Sequence, residues 1–219
     1  MELASRIVSW LFLPLYAPVI ALAIAMYLES AQPGMFQNET VFYLQPEHKT
    51  FLLYLFTALS VVFPCLAILY FKLNGRITTL LMDNRKERIL PSIFVNGSAV
   101  LLYLVLMKID PKQYLPSAVY GLTMGSFITV LTCTIITFRW KISLHSAGMG
   151  IITGFLFAYF STQESFAFWT LPAVLIASGL VMSARMYLKA HTFSQLVSGY
   201  LLGTVVVSAS VLLYHHFSS

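Results

Sequence analysis

Apolar runs long enough to cross a bilayer alternate along the chain with short polar connectors. The runs fall at about 7–28, 50–71, 92–107, 115–138, 144–160, 168–182 and 196–214. The hydrocarbon core of a membrane is about 30 Å thick and takes roughly 20 apolar residues of helix to cross. The pattern therefore predicts six to seven spans, seven by direct count. Inside hydrocarbon every backbone polar group needs an internal partner, which runs of this length supply as helices. The expected fold is all-α, a polytopic transmembrane helical bundle. The connectors at 29–49, 72–91, 109–114, 139–143, 161–164 and 183–195 leave no room for a second domain, so residues 1–219 read as one integral membrane domain.

Composition narrows this further. Hydrophobic residues make up 58% of the chain and charged residues only 10%, against about 25% charged in a soluble domain. The first apolar run is as long as a full span and lacks a small-residue cleavage site, so it is expected to remain in the protein. Cys65 and Cys133 sit in apolar runs with no CxxC or metal-like spacing, which predicts buried packing thiols. Trp10, Trp140 and Trp169 fall near span ends, as interfacial anchors do.

The net charge of +5 resides in short connectors and reads as juxtamembrane base, with no nucleic-acid partner implied. Alternation of seven spans places the N-terminus and the connectors 72–91, 139–143 and 183–195 on one face. That face collects Arg6, Lys72, Arg76, Arg85, Lys86, Arg88, Arg139, Lys141, Arg185 and Lys189, against Lys49, Lys108 and Lys112 opposite. The positive-inside rule makes it cytoplasmic. Six bases against three remain when Arg85, Arg88, Lys141 and Arg185 are set aside as candidate ligand-binding groups.

Three segments of that same face carry the unusual chemistry. In Asp83-Asn-Arg85-Lys86-Glu-Arg88-Ile-Leu-Pro91, cations precede a proline near the first turn of the next helix, a position where proline is tolerated. In Lys141-Ile-Ser143-Leu-His145, a histidine opens a helix whose free N–H groups favour an anion. In Arg185-Met-Tyr-Leu-Lys-Ala-His191-Thr-Phe-Ser-Gln195, a permanent cation precedes an imidazole that has an amide four residues on, within reach on one helical face. The Gln195 carbonyl can accept the imidazole N–H and fix its tautomer. The spacings Gly150 to Gly154 and Gly199 to Gly203 follow the two histidine segments and predict close packing of those two helices.

These residues resemble the type 2 phosphatidic acid phosphatase (PAP2) superfamily, in a divergent, bacterial-type form. The family's third motif, Ser-Arg-x5-His-x3-Asp, is matched by Arg185 and His191, with Ala184 and Gln195 in the Ser and Asp slots. Its second, Pro-Ser-Gly-His, is matched by Ser143 and His145, and its Lys/Arg-Pro motif loosely by Arg88 and Pro91 with Arg85 upstream. The resemblance covers mainly residues 83–203, the first two spans adding little.

It implies a PAP2-like core in a bacterial inner (cell) membrane. Its expected activity is metal-independent hydrolysis of a phosphomonoester or diphosphate on a membrane lipid, with no cofactor. Phosphatidate, phosphatidylglycerophosphate and polyprenyl diphosphate all suit it. His191 would be the nucleophile, oriented by Gln195, and His145 the general acid. Arg185 and Arg88, with Arg85 or Lys141, would clamp the phosphate, and Ser143 would donate to a phosphate oxygen. Two other readings stay open: a lipid-phosphate binding or transport protein without catalysis, and a haem b protein with His145 and His191 as axial ligands.

Overall fold

The computed structural model describes residues 2–31, 40–78, 85–112 and 114–218. Asp83 and Asn84 lie outside the described residues, as do the side chains of Arg85 and Lys86. Among the described residues seven helical stretches are long and apolar enough to cross a membrane, so the chain is an all-α integral membrane bundle.

The first span, Glu2–Tyr27, is broken. Helix α1 (Glu2–Leu11) stops where Leu13 adopts an extended conformation ahead of Pro14, as residues before proline do. A 3₁₀ turn (Pro14–Tyr16) then leads into α2 (Ala17–Tyr27). The second span joins α3 (Pro46–Thr57) to α4 (Phe63–Leu73) through a π-helical segment, Ala58–Val62. The wider π turn displaces backbone groups from the regular ladder, and the Leu59 carbonyl accepts the Ser98 hydroxyl at 2.9 Å.

The remaining spans are unbroken. They are α5 (Ile89–Ile109), α6 (Ser117–Thr137), α7 (Leu144–Ser161), α8 (Thr170–Tyr187) and α9 (Phe193–Ser218). Helix α7 is the most enclosed span and packs most extensively on α9. Glycine makes that approach possible: a Cβ on Gly199 would stand 2.5 Å from the Ser143 carbonyl oxygen, and one on Gly203 would strike the Ala147 carbonyl. The two small-residue spacings thus do what their pattern predicted.

On the opposite face a two-residue antiparallel pairing of β1 (Ser30–Ala31) with β2 (Ser165–Phe166) ties the connector after the first span to that after α7. Beside it, the Tyr159 hydroxyl meets Ser30 Oγ at 2.9 Å and accepts the Val41 N–H at 3.1 Å.

Cys133 is fully buried, as expected. Cys65 is a correction: it is exposed on α4 and lines a cavity. Helix α4 belongs to the least enclosed span and covers little of its own surface with protein. An apolar neighbourhood in sequence does not distinguish a lipid-facing position from a protein-facing one.

Candidate functional site

Three chain reversals, from α4 to α5, from α6 to α7 and from α8 to α9, bring the charged and imidazole side chains to one end of the bundle. A 3₁₀ turn, Arg85–Arg88, leads directly into α5 and leaves Arg88 at the helix entrance, 8% exposed. Helix α8 presents Arg185 in its last turn, 6% exposed. It ends in a Schellman motif, with the Lys189 N–H bonded to the Met186 carbonyl and the Ala190 N–H to the Arg185 carbonyl. Lys189 takes the left-handed conformation, φ 53°, that this motif demands. The reversal returns the chain so that His191, 7% exposed, shares a cavity with Arg185.

Helices α7 and α9 are tied at their starts. The Ser143 N–H donates to the Gln195 backbone carbonyl at 3.3 Å. Ser143 Oγ caps α7 by accepting the Ser146 N–H at 3.3 Å. With the residue fully buried and its hydroxyl committed as a cap, Ser143 is absent from the cavity wall. The structure therefore does not bring Ser143, which the resemblance assigned to a phosphate oxygen, to the cavity wall. Lys141 also lies off the wall, though close enough to act electrostatically on His191. Arg85 has its backbone in the 3₁₀ turn and its side chain outside the described residues.

The cavity encloses about 300 Å³, and its polar lining is Ser9, Arg88, Ser92, His145, Arg185 and His191. Trp10 and Leu13, at the end of α1 and just after it, and Cys65, Ile68 and Leu69 of α4 contribute apolar lining. A smaller cavity of about 80 Å³ lies deeper in the bundle and shares Pro14, Leu15, Ser92, Val95 and Leu144 as walls. None of the described residues lining the larger cavity is a carboxylate. Two guanidiniums beside one cavity favour a negatively charged ligand there. A unit negative charge about 4 Å from each gains about 4 kcal/mol per pair at an effective dielectric constant of 20.

Both imidazoles have assigned tautomers. Gln195 Oε1 accepts the Thr192 N–H at 3.2 Å, which identifies it as the amide oxygen, so the His191 Nδ1 that meets it at 3.1 Å must carry the proton. Nε2 of His191 is left with its lone pair, the form a nucleophile or hydrogen-bond acceptor needs. Burial, reinforced by Arg88 and Arg185 and opposed by the Gln195 bond, pushes the His191 imidazole down to about 4, so the ring is neutral at physiological pH. His145 Nε2 stands 3.2 Å from the Ser9 carbonyl, which can only accept, so this nitrogen carries the proton and Nδ1 the lone pair.

The structure thus gathers Arg88, Arg185, His145 and His191 around one cavity, with Gln195 behind His191. Sequence reading missed the first two spans. Helix α1 supplies Ser9 and Trp10, and α4 supplies Cys65, Ile68 and Leu69. The one local signal was Pro14, which breaks the first span and whose backbone rests against Gly148 of α7, where an added Cβ would come within 3.0 Å of Pro14 Cα. Among the described residues no group of three or more metal-ligating side chains forms. No family model, curated protein or solved structure matches the chain.

Proposed function

We propose that this protein is a membrane lipid-phosphate phosphatase that works through a phosphohistidine intermediate. One observation carries the reading: the neutral His191, its Nδ1–H held by Gln195, shares a cavity with Arg88, Arg185 and a second histidine. Arg88 and Arg185 take the phosphate oxygens, and His191 Nε2 attacks phosphorus as the bond to the lipid oxygen breaks. His145 supplies the proton to that leaving oxygen. Because its Nε2–H is engaged by the Ser9 carbonyl, delivery from Nδ1 requires the doubly protonated ring, and the bound phosphate supplies the negative charge beside it that this form needs. Water then attacks the phosphohistidine, gives its proton to His145 and releases inorganic phosphate. The apolar lining contributed by α1 and α4 suits the lipid tail, which reaches the site by diffusion in the bilayer. The charge count favours the cytoplasmic face of a cell membrane.

A second reading, phosphate binding without turnover, is favoured by Gln195 itself. An amide fixes the tautomer but carries no negative charge to offset the charge that forms on the imidazole. Purified protein is incubated in EDTA with phosphatidate, phosphatidylglycerophosphate and polyprenyl diphosphate, and released phosphate is measured. Release that His191→Ala abolishes supports the phosphatase. Saturable binding weakened by Arg185→Ala, with no release from wild type, transfers the site to the binding reading.

A further inference from the structure

Buried hydroxyls in this bundle generally satisfy themselves within their own helix. Thr123, Thr129, Thr137 and Thr153 each donate to the carbonyl four residues earlier, at 2.9, 2.8, 2.7 and 2.9 Å. Ser9 of α1 does not. It is 5% exposed, its Oγ is buried and has no hydrogen-bond partner among the described residues, and it lines the cavity with Arg88, Arg185, His145 and His191. A buried hydroxyl in this condition bears the full loss of its hydration. Its own carbonyl is meanwhile spent on His145 Nε2.

We propose that Ser9 completes the anion site, its Oγ–H donating to an oxygen of a bound phosphate. This rests on the phosphate-site reading above and extends it to the first span, which no phosphate-binding pattern in the sequence reached. The ligand class is a tetrahedral oxyanion with at least one oxygen turned toward α1. The other buried hydroxyls without partners do not share this setting. Ser126 lines the deeper apolar cavity, and Thr170 lies at the far end of α8. One residue of α1 thus faces the site twice, through its hydroxyl toward the phosphate and through its carbonyl toward the ring that serves as acid.

Two ligands separate the phosphate contact from lipid contacts: inorganic pyrophosphate, and a short-chain phosphatidate in detergent micelles. Affinities for both are measured calorimetrically for wild type, Ser9→Ala and Ser9→Thr, with melting temperatures of the ligand-free proteins alongside. Ser9→Ala should weaken both ligands about tenfold, as loss of one hydrogen bond to a charged acceptor does, and Ser9→Thr should restore most of it. The ligand-free alanine variant should melt no lower than wild type, since it loses a hydroxyl that bonds to nothing in the protein. Affinities within twofold of wild type, a loss confined to the lipid, or a lower ligand-free melting temperature each overturn the assignment. If wild type binds neither ligand, the phosphate-site reading falls, and the Ser9 assignment with it.

Discussion

His191 concentrates the chemistry at the scale of single residues, because three forces on one ring set its charge. Burial and the Arg88 and Arg185 guanidiniums favour the neutral form, Lys141 adds to them, and the Gln195 acceptor favours the cation but is outweighed. With the folded value at about 4 and an ordinary value near 6.5, the unfolded chain binds a proton that the folded protein refuses between those limits. Stability is therefore undiminished above pH 6.5 and falls as the pH drops from 6.5 towards 4. Thermal melts across that range should show the decline, and His191→Gln should flatten its share of it. ¹⁵N resonances should report the Nδ1–H tautomer of His191 persisting at pH 5.5, where an ordinary imidazole is mostly protonated. Gln195→Glu should move the transition upward, since a carboxylate stabilises the imidazolium.

Helix ends and helix contacts decide the arrangement at the next scale. The Schellman reversal after α8 places His191 beside Arg185, and it does so with a lysine where glycine is the easier occupant. Lys189 is exposed and away from the cavity wall. Lys189→Gly should raise stability by about 1 kcal/mol, the strain of a side chain in the left-handed region, and leave phosphate affinity unchanged. Denaturant or thermal unfolding in detergent measures the first, and calorimetry the second. Some of this was legible in the sequence: Gly150, Gly154, Gly199 and Gly203 announced the α7–α9 contact, and the four-residue step from His191 to Gln195 announced their bond. The Ala58–Val62 π segment was not, because its backbone departure is stabilised by Ser98 from another span.

Across the whole molecule, seven spans place the candidate site at the end of the bundle where α4, α6 and α8 finish and α1, α5, α7 and α9 begin. Two buried guanidiniums and two imidazoles thus gather around one cavity at that end of the bundle. Lys189 reports its side. In a background with Cys65 and Cys133 replaced by alanine, Lys189→Cys should react with an impermeant thiol reagent only when the cytoplasmic face is open. Labelling of intact cells from outside reverses the sidedness drawn from the charge count.

Hydropathy alone determined the all-α architecture and the seven spans, because hydrocarbon tolerates no unpaired backbone and each crossing must be an apolar, mainly helical stretch of known length. Local spacing also brought His191 and Gln195 together, since a residue just ahead of a helix meets the side chains of its first turn whatever surrounds them. What α1 and α4 contribute was settled only by tertiary packing. Ser9 and Cys65 lie in apolar runs that a lipid-facing and a cavity-facing helix share alike. The bend at Pro14, seated against Gly148, and the packing of α1 on α8 turned Ser9 toward two cations from distant parts of the chain. Which side of a span meets protein and which meets lipid is a property of its neighbours, and a one-dimensional pattern of hydropathy carries no record of them.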